Sequence, residues 1–283
     1  MGGRGSSYTR AVVPPQPLAA SALLQQDDDQ QDNQPQQPLN GTLQKGPANT
    51  PSGYTLDDFK QMSDQQMSDL VNWADTQMQL PKDLHDDPTQ RVIHALGIDK
   101  PMENIGGRAL QRLVDAGATV LYRGIDGTSS QSADTIADSI RDGNTFSTGG
   151  WGGQVHGGGM YMTDKYSGTQ FYGTDHVIGA VFSPKANHID GGSLLLKADS
   201  WLRAHPQMRD NLAKIAGVKP SDGTQAIMTG RSRMARSIVA LAMGYTSVSD
   251  KVLGNEHYYM ILDRSTLYTS RYNHRKPMKV SGT

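Results

Sequence analysis

The stretch "GGGMYMTDKYSGTQFYG", Gly157 to Gly173, sets two tyrosines, Tyr161 and Tyr172, with ten residues between them directly behind a glycine-rich run. Ten glycines fall between Gly143 and Gly173. Glycine lets a backbone approach a ligand closely and close over it, where side chains would obstruct both. Gly149 to Gly159 is therefore expected to form the lid or wall of a site. Two rings at this spacing suit a planar aromatic ligand, each stacked pair contributing roughly 0.5 to 1.5 kcal/mol beyond burial. The run lacks the three spaced glycines between strand and helix that mark a dinucleotide fingerprint, so a doubly wound nucleotide-binding fold gets no support.

Outward from this stretch the chain divides by composition. Residues 1–52 are rich in Gln and Pro, and "QQDDDQQDNQPQQP" contains no apolar residue. Such a segment cannot bury enough surface to offset the entropy of ordering it, and a disordered tail is expected. Residues 53–117 are expected to form a helical block. Thr55 with Asp58 three residues later signals a helix start, and Met67, Leu70, Val71, Ala74 and Met78 repeat at the helical period. Further helices are expected in "PTQRVIHALG" and "GGRALQRLVDAG", closed by Gly97 and Gly117. Residues 118–283 are expected to form an α+β domain. "ATVLYRGI", "HVIGAVF", "SLLLKA", "EHYYMILD" and "STLYTSRY" are its strand candidates, and "SADTIADSIRDG", "RAHPQMRDNLAKIAG" and "SRMARSIVALAMG" its helices.

Composition narrows the chemistry. With no cysteine, disulfides and thiolate metal sites are excluded, and a cytosolic setting is the default. There is no apolar run of membrane-spanning length, and three prolines break the first twenty residues before a signal-peptide core could form. The net charge of -1 favours no polyanionic partner by itself. Thirteen Lys or Arg against five acids from Trp201 onward are scattered, without a run of basic residues interleaved with aromatics.

Two separated features complement the tyrosine pair. Arg123 lies in "LYRG", at the end of the first expected strand of the domain, and Glu256 begins "EHYYMILD". An arginine can hold a phosphate or organise a pocket floor. A carboxylate can face a sugar whose bond breaks with oxocarbenium character. His257 follows Glu256 directly, and adjacent strand residues point to opposite faces, so the two cannot enter one site without a bulge. His156, in the glycine-rich loop, is a better candidate to enter the site.

"LYRG", "GMYMTDKYSGTQFYG" and "NEHYYMIL", in that order, resemble the three-motif pattern of the ADP-ribosyltransferase superfamily over about residues 120–270. The middle motif is similar to that of the diphtheria-toxin and poly(ADP-ribose) polymerase branch. Arg123 stands where that branch has histidine and resembles the cholera-toxin-like branch. "FSTGG" partly echoes that second branch's Ser-Thr-Ser motif. The segment Leu121 to Gly173 also resembles transferase-like proteins of bacteriophages and prophages.

The resemblance implies a split β-sheet core and an NAD-dependent mono-ADP-ribosyltransferase that uses NAD as co-substrate and needs no metal. Arg123 and Gly124 would bind and order NAD, Tyr161 and Tyr172 would stack on nicotinamide, and Glu256 would stabilise the oxocarbenium. Ser147 and Thr148 would complete the NAD-binding set. Gly254 stands where the arginine-modifying group has an acidic residue or glutamine, which counts against arginine as the acceptor. The expected partner is a host protein met in the host cytosol, with no membrane association and with virion association as a further possibility. Two alternatives are a virion or scaffold component with a degenerate NAD-binding fold, and an NAD glycohydrolase.

Overall fold

The computed structural model describes residues 49–80, 86–143, 158–252 and 256–279. Among these are nine α-helices and eight strands, mixed along the chain. The expected tail up to residue 48, the loop containing Ser147, Thr148 and His156, and Gly254 lie outside the described residues.

Local signals in the sequence account for most helix boundaries. Helix α1 (Leu56–Gln61) starts at Thr55, whose side chain accepts from the Asp58 N–H while the Asp58 carboxylate takes the Thr55 N–H, a reciprocal cap. The periodic run expected as one helix is two, because Ser63 and Gln66 form a second reciprocal cap that begins α2 (Asp64–Gln77). Helix α3 (Pro88–Ala95) is capped by Asp87, with Pro88 at its first position. Strand β1 (Glu103–Asn104) and helix α4 (Gly107–Asp115) follow, and then β2 (Val120–Ile125) and α5 (Ala133–Arg141), which Ser132 caps as expected. The C-terminal carbonyls of α5 are held by Arg264, which donates to Ile140 O at 2.8 Å and Gly143 O at 2.7 Å. A cation there also complements the helix dipole.

Strand β3 (Met160–Thr163) leads into a 3-10 segment over Tyr166–Phe171 and then β4 (His176–Phe182). Strand β5 (His188–Asp190) runs into α6 (Gly191–Ala204). "SLLLKA", expected as a strand, belongs to this helix. Asp190 caps it by accepting the Ser193 N–H, and Leu194, Ala198 and Leu202 recur every four residues on its buried face. Helices α7 (Pro206–Ala216), α8 (Gly223–Thr229) and α9 (Met234–Ala242) precede β6 (Ser247–Lys251), β7 (His257–Ile261) and β8 (Leu267–Thr269).

The strand order is β1-β8-β4-β2-β3-β7-β6-β5. All neighbours are antiparallel except β1 with β8 and β5 with β6. The sheet has a seam. Strands β2 and β4 are registered along the whole of Val120–Ile125, whereas β2 meets β3 at the single pair Tyr122 and Thr163. Four strands therefore stand on each side of one pairing. At another point the halves approach face to face, since Phe182 of β4 packs against His188 of β5 and Tyr259 of β7.

Helices α1 to α3 share one hydrophobic core with α5 to α9 and the sheet, through Phe59, Leu70, Val71, Val92 and Ile93 among others. Full burial of each such large side chain contributes about 1.5 to 3 kcal/mol. Helix α4 covers a second, smaller cluster, where Leu110 and Val114 meet Val120, Tyr122, Val177, Val181 and Tyr268. The C-terminal segment lies along β4, with His274 N–H donating to Val177 O at 2.9 Å and Met278 N–H to the Tyr122 hydroxyl at 3.0 Å. No described helix is long and apolar enough to cross a membrane.

Candidate functional site

The site is built at the seam. Every residue of β2 is buried, Arg123 included at 3% exposure. Burying a guanidinium costs several kcal/mol unless its donors are satisfied. Arg123 Nη1 donates to Tyr161 O on β3 at 2.8 Å, bridging the two half-sheets where their ladder stops. Its guanidinium carbon lies 5.4 Å from the centre of the Tyr172 ring, a cation-π distance. Burial lowers the Arg123 pKa, and the Tyr172 and Tyr161 hydroxyls oppose that shift.

Tyr172 follows the 3-10 segment, held by its N–H donating to Thr169 O. Its half-buried ring meets Tyr258 edge-on, with centroids 6.1 Å apart and planes at 81°. Burial pushes its phenol up to about 12, with Tyr258 and Glu256 adding to the shift and Arg123 opposing it. The ring is therefore neutral and presents a face rather than a charge.

Gly124 explains why the aromatic segment can come so close. A Cβ there would stand 1.9 Å from Gly173 O and 2.3 Å from Thr169 O, so only glycine admits this approach. Gly168 does the same for the acid, because a Cβ there would stand 1.9 Å from Glu256 Oε1.

Glu256 stands at the start of β7. Its Oε1 accepts from the Thr163 hydroxyl at 2.7 Å, and its carbonyl accepts the Val252 N–H at 2.9 Å, which closes the connection from β6. Among the described residues no partner holds Oε2. The structure thus brings Arg123 and Gly124, Tyr172, and Glu256 to one seam from three separate segments. It places the Tyr161 ring, 2% exposed, in the hydrophobic core, with its carbonyl accepting from Arg123.

Two contributors escaped the sequence reading. Thr163 joins the acid only because β3 pairs with β7, and Tyr258 supplies the half-exposed ring beside Tyr172. The signal available for Tyr258 was its spacing two residues beyond Glu256, which puts both on one face of the strand.

His257 takes no part on this side. Asp164 accepts its main-chain N–H at 2.9 Å and pairs with its Nδ1 at 2.9 Å, on the other face of the strand. Beyond Gly124, a polar groove of about 950 Å³ is lined by the 127–132 turn, Asp134, Tyr166, Thr174 and Arg275. Among the described residues no group of three or more His, Asp or Glu could hold a metal ion. Comparison with protein-family models, with curated proteins and with solved structures finds no match to this chain.

Proposed function

We propose that the protein is an NAD-dependent mono-ADP-ribosyltransferase. The observation that carries this reading is the convergence of Arg123, Tyr172 and Glu256 at the junction of two half-sheets held by one register pair. Nicotinamide would stack on the Tyr172 ring beside Tyr258, with the Tyr161 strand as the floor and Arg123 fixing that floor. The groove beyond Gly124 would take the adenosine diphosphate portion.

In the reaction the bond between the ribose C1′ and the nicotinamide nitrogen breaks, and its electron pair leaves with nicotinamide. The cationic sugar that remains faces Glu256, whose Oε2 is available once Thr163 has oriented the carboxylate through Oε1. An acceptor nucleophile then bonds to C1′ and gives up its proton. Preorganised charge of this kind typically accounts for on the order of 100 to 1,000-fold in rate. The expected acceptor is a host protein in the host cytosol.

The burial of the Tyr161 ring favours one second reading, a related fold that binds NAD without turning it over. Incubating bacterial lysate with biotinylated NAD and the protein separates the two. Labelled macromolecules that vanish in a Glu256→Gln variant support the transferase. Saturable NAD binding with neither label nor nicotinamide release supports the binding module, and nicotinamide release without label supports the hydrolase.

A further inference from the structure

The face of the second half-sheet that carries His257 has its own construction. His188 on β5 is exposed, yet both of its ring nitrogens are engaged, Nδ1 with the Ser247 hydroxyl at 3.0 Å and Nε2 with the Ser249 hydroxyl at 3.1 Å. Both serines are buried. An imidazole turned into the sheet by both nitrogens has no edge left for proton transfer or metal binding. What it offers to solvent is ring carbon and π-face. Tyr259 lies 5.3 Å from it at 39°, and Phe182 lies 5.6 Å away at 32°, both half-buried. The three rings make an angled platform, in which the Phe182 and Tyr259 planes stand at 58° to each other with centroids 5.8 Å apart.

The charges around the platform are uneven. Asp164 is committed to His257, and Asp190 is committed to the cap of α6. Lys185, in the turn between β4 and β5, and Lys251, the register partner of His257, are both exposed, and neither is in an ion pair among the described residues. His257, held through Nδ1 by Asp164, is part-exposed, and its ring centre lies 6.3 Å from that of Tyr259. Rings for stacking, a part-exposed imidazole and two exposed cations outside ion pairs match a phosphate-linked base.

We propose that the platform of Phe182, His188 and Tyr259, rimmed by His257, Lys185 and Lys251, binds single-stranded nucleic acid by base stacking. This site is separate from the seam and does not depend on the transferase reading. The test is fluorescence-anisotropy titration of the full chain with a short labelled oligodeoxyadenylate at several salt concentrations. Saturable binding that weakens with salt is expected, with His188→Leu and Tyr259→Leu each about 10-fold weaker. Tyr259→Phe keeps the ring and should keep the affinity, which separates loss of stacking from loss of fold. Lys251→Gln should lower the salt dependence by about one phosphate contact. The proposal is overturned if the oligonucleotide fails to saturate, if both leucine variants bind as the wild type does, or if adenosine monophosphate or an acidic aromatic peptide competes as well as the oligonucleotide.

Discussion

The ends of β3 and β7 carry two acids on opposite faces, and the two are held differently. On one face the Glu256 carboxylate spends one oxygen on Thr163. On the other, Asp164 spends both oxygens on His257, one on its main-chain N–H and one on its ring. A carboxylate with its lone pairs taken up orients a neighbour. One with an oxygen that has no partner among the described residues, beside Tyr172 and Tyr258, can meet a developing positive charge. Close-packed glycines, Gly124 and Gly168, mark the Glu256 side.

The glycines give the sharpest ways to break this comparison. Gly124→Ala would drive a methyl group into the carbonyls of Gly173 and Thr169, backbone that cannot step aside, and should destabilise the fold by about 3 kcal/mol in urea denaturation. An unchanged midpoint would mean that the aromatic segment does not sit against β2. Gly168→Ala meets the end of a side chain instead. It should leave the melting temperature close to wild type while displacing Glu256, and a displacement of about 1 Å costs roughly 100-fold in nicotinamide release. Full activity in that variant would remove the carboxylate from the reaction.

A smaller effect concerns the C-terminal segment. Burial, followed by the charges of Arg141 and His176, pushes the His274 pKa down from 6.5 to about 4. The unfolded chain then binds more protons than the folded one between these values, so stability rises with pH across that window. The contribution is complete above about 6.5 and is lost as the pH falls through 4. Wild type should lose stability between pH 7 and pH 5, and His274→Gln should lose less, by on the order of 1 kcal/mol after discounting for partial exposure. Equal losses would show that His274 is not held neutral by its surroundings.

The parts legible in the sequence are those whose cause is local. Thr55 with Asp58, Ser132, and the left-handed glycines Gly97, Gly117, Gly143 and Gly217 mark helix ends by caps and backbone conformation. "SLLLKA" misleads because three consecutive leucines mask a four-residue period that shows only when Leu194, Ala198 and Leu202 are taken together. Strands β5 and β6 escape notice for a different reason. Their outward face carries His188, Ser247 and Ser249, which bond to one another, so the apolar alternation that signals a strand is missing.

The same distinction holds at the seam. Arg123, Tyr172 and Glu256 could be named from motifs, but Thr163 and Tyr258 enter through strand pairing, which one segment of sequence cannot reveal. The platform opposite is a further case. Its rings and lysines are scattered along the chain, and the cross-strand register assembles them.

The most direct test compares nicotinamide release from NAD by the wild type, Glu256→Gln and Asp164→Asn under identical conditions. If the two acids divide as described, Glu256→Gln falls on the order of 100 to 1,000-fold while Asp164→Asn stays close to wild type. Equal losses in both variants, or release undiminished by Glu256→Gln, would contradict the assignment of the reaction to the Glu256 face.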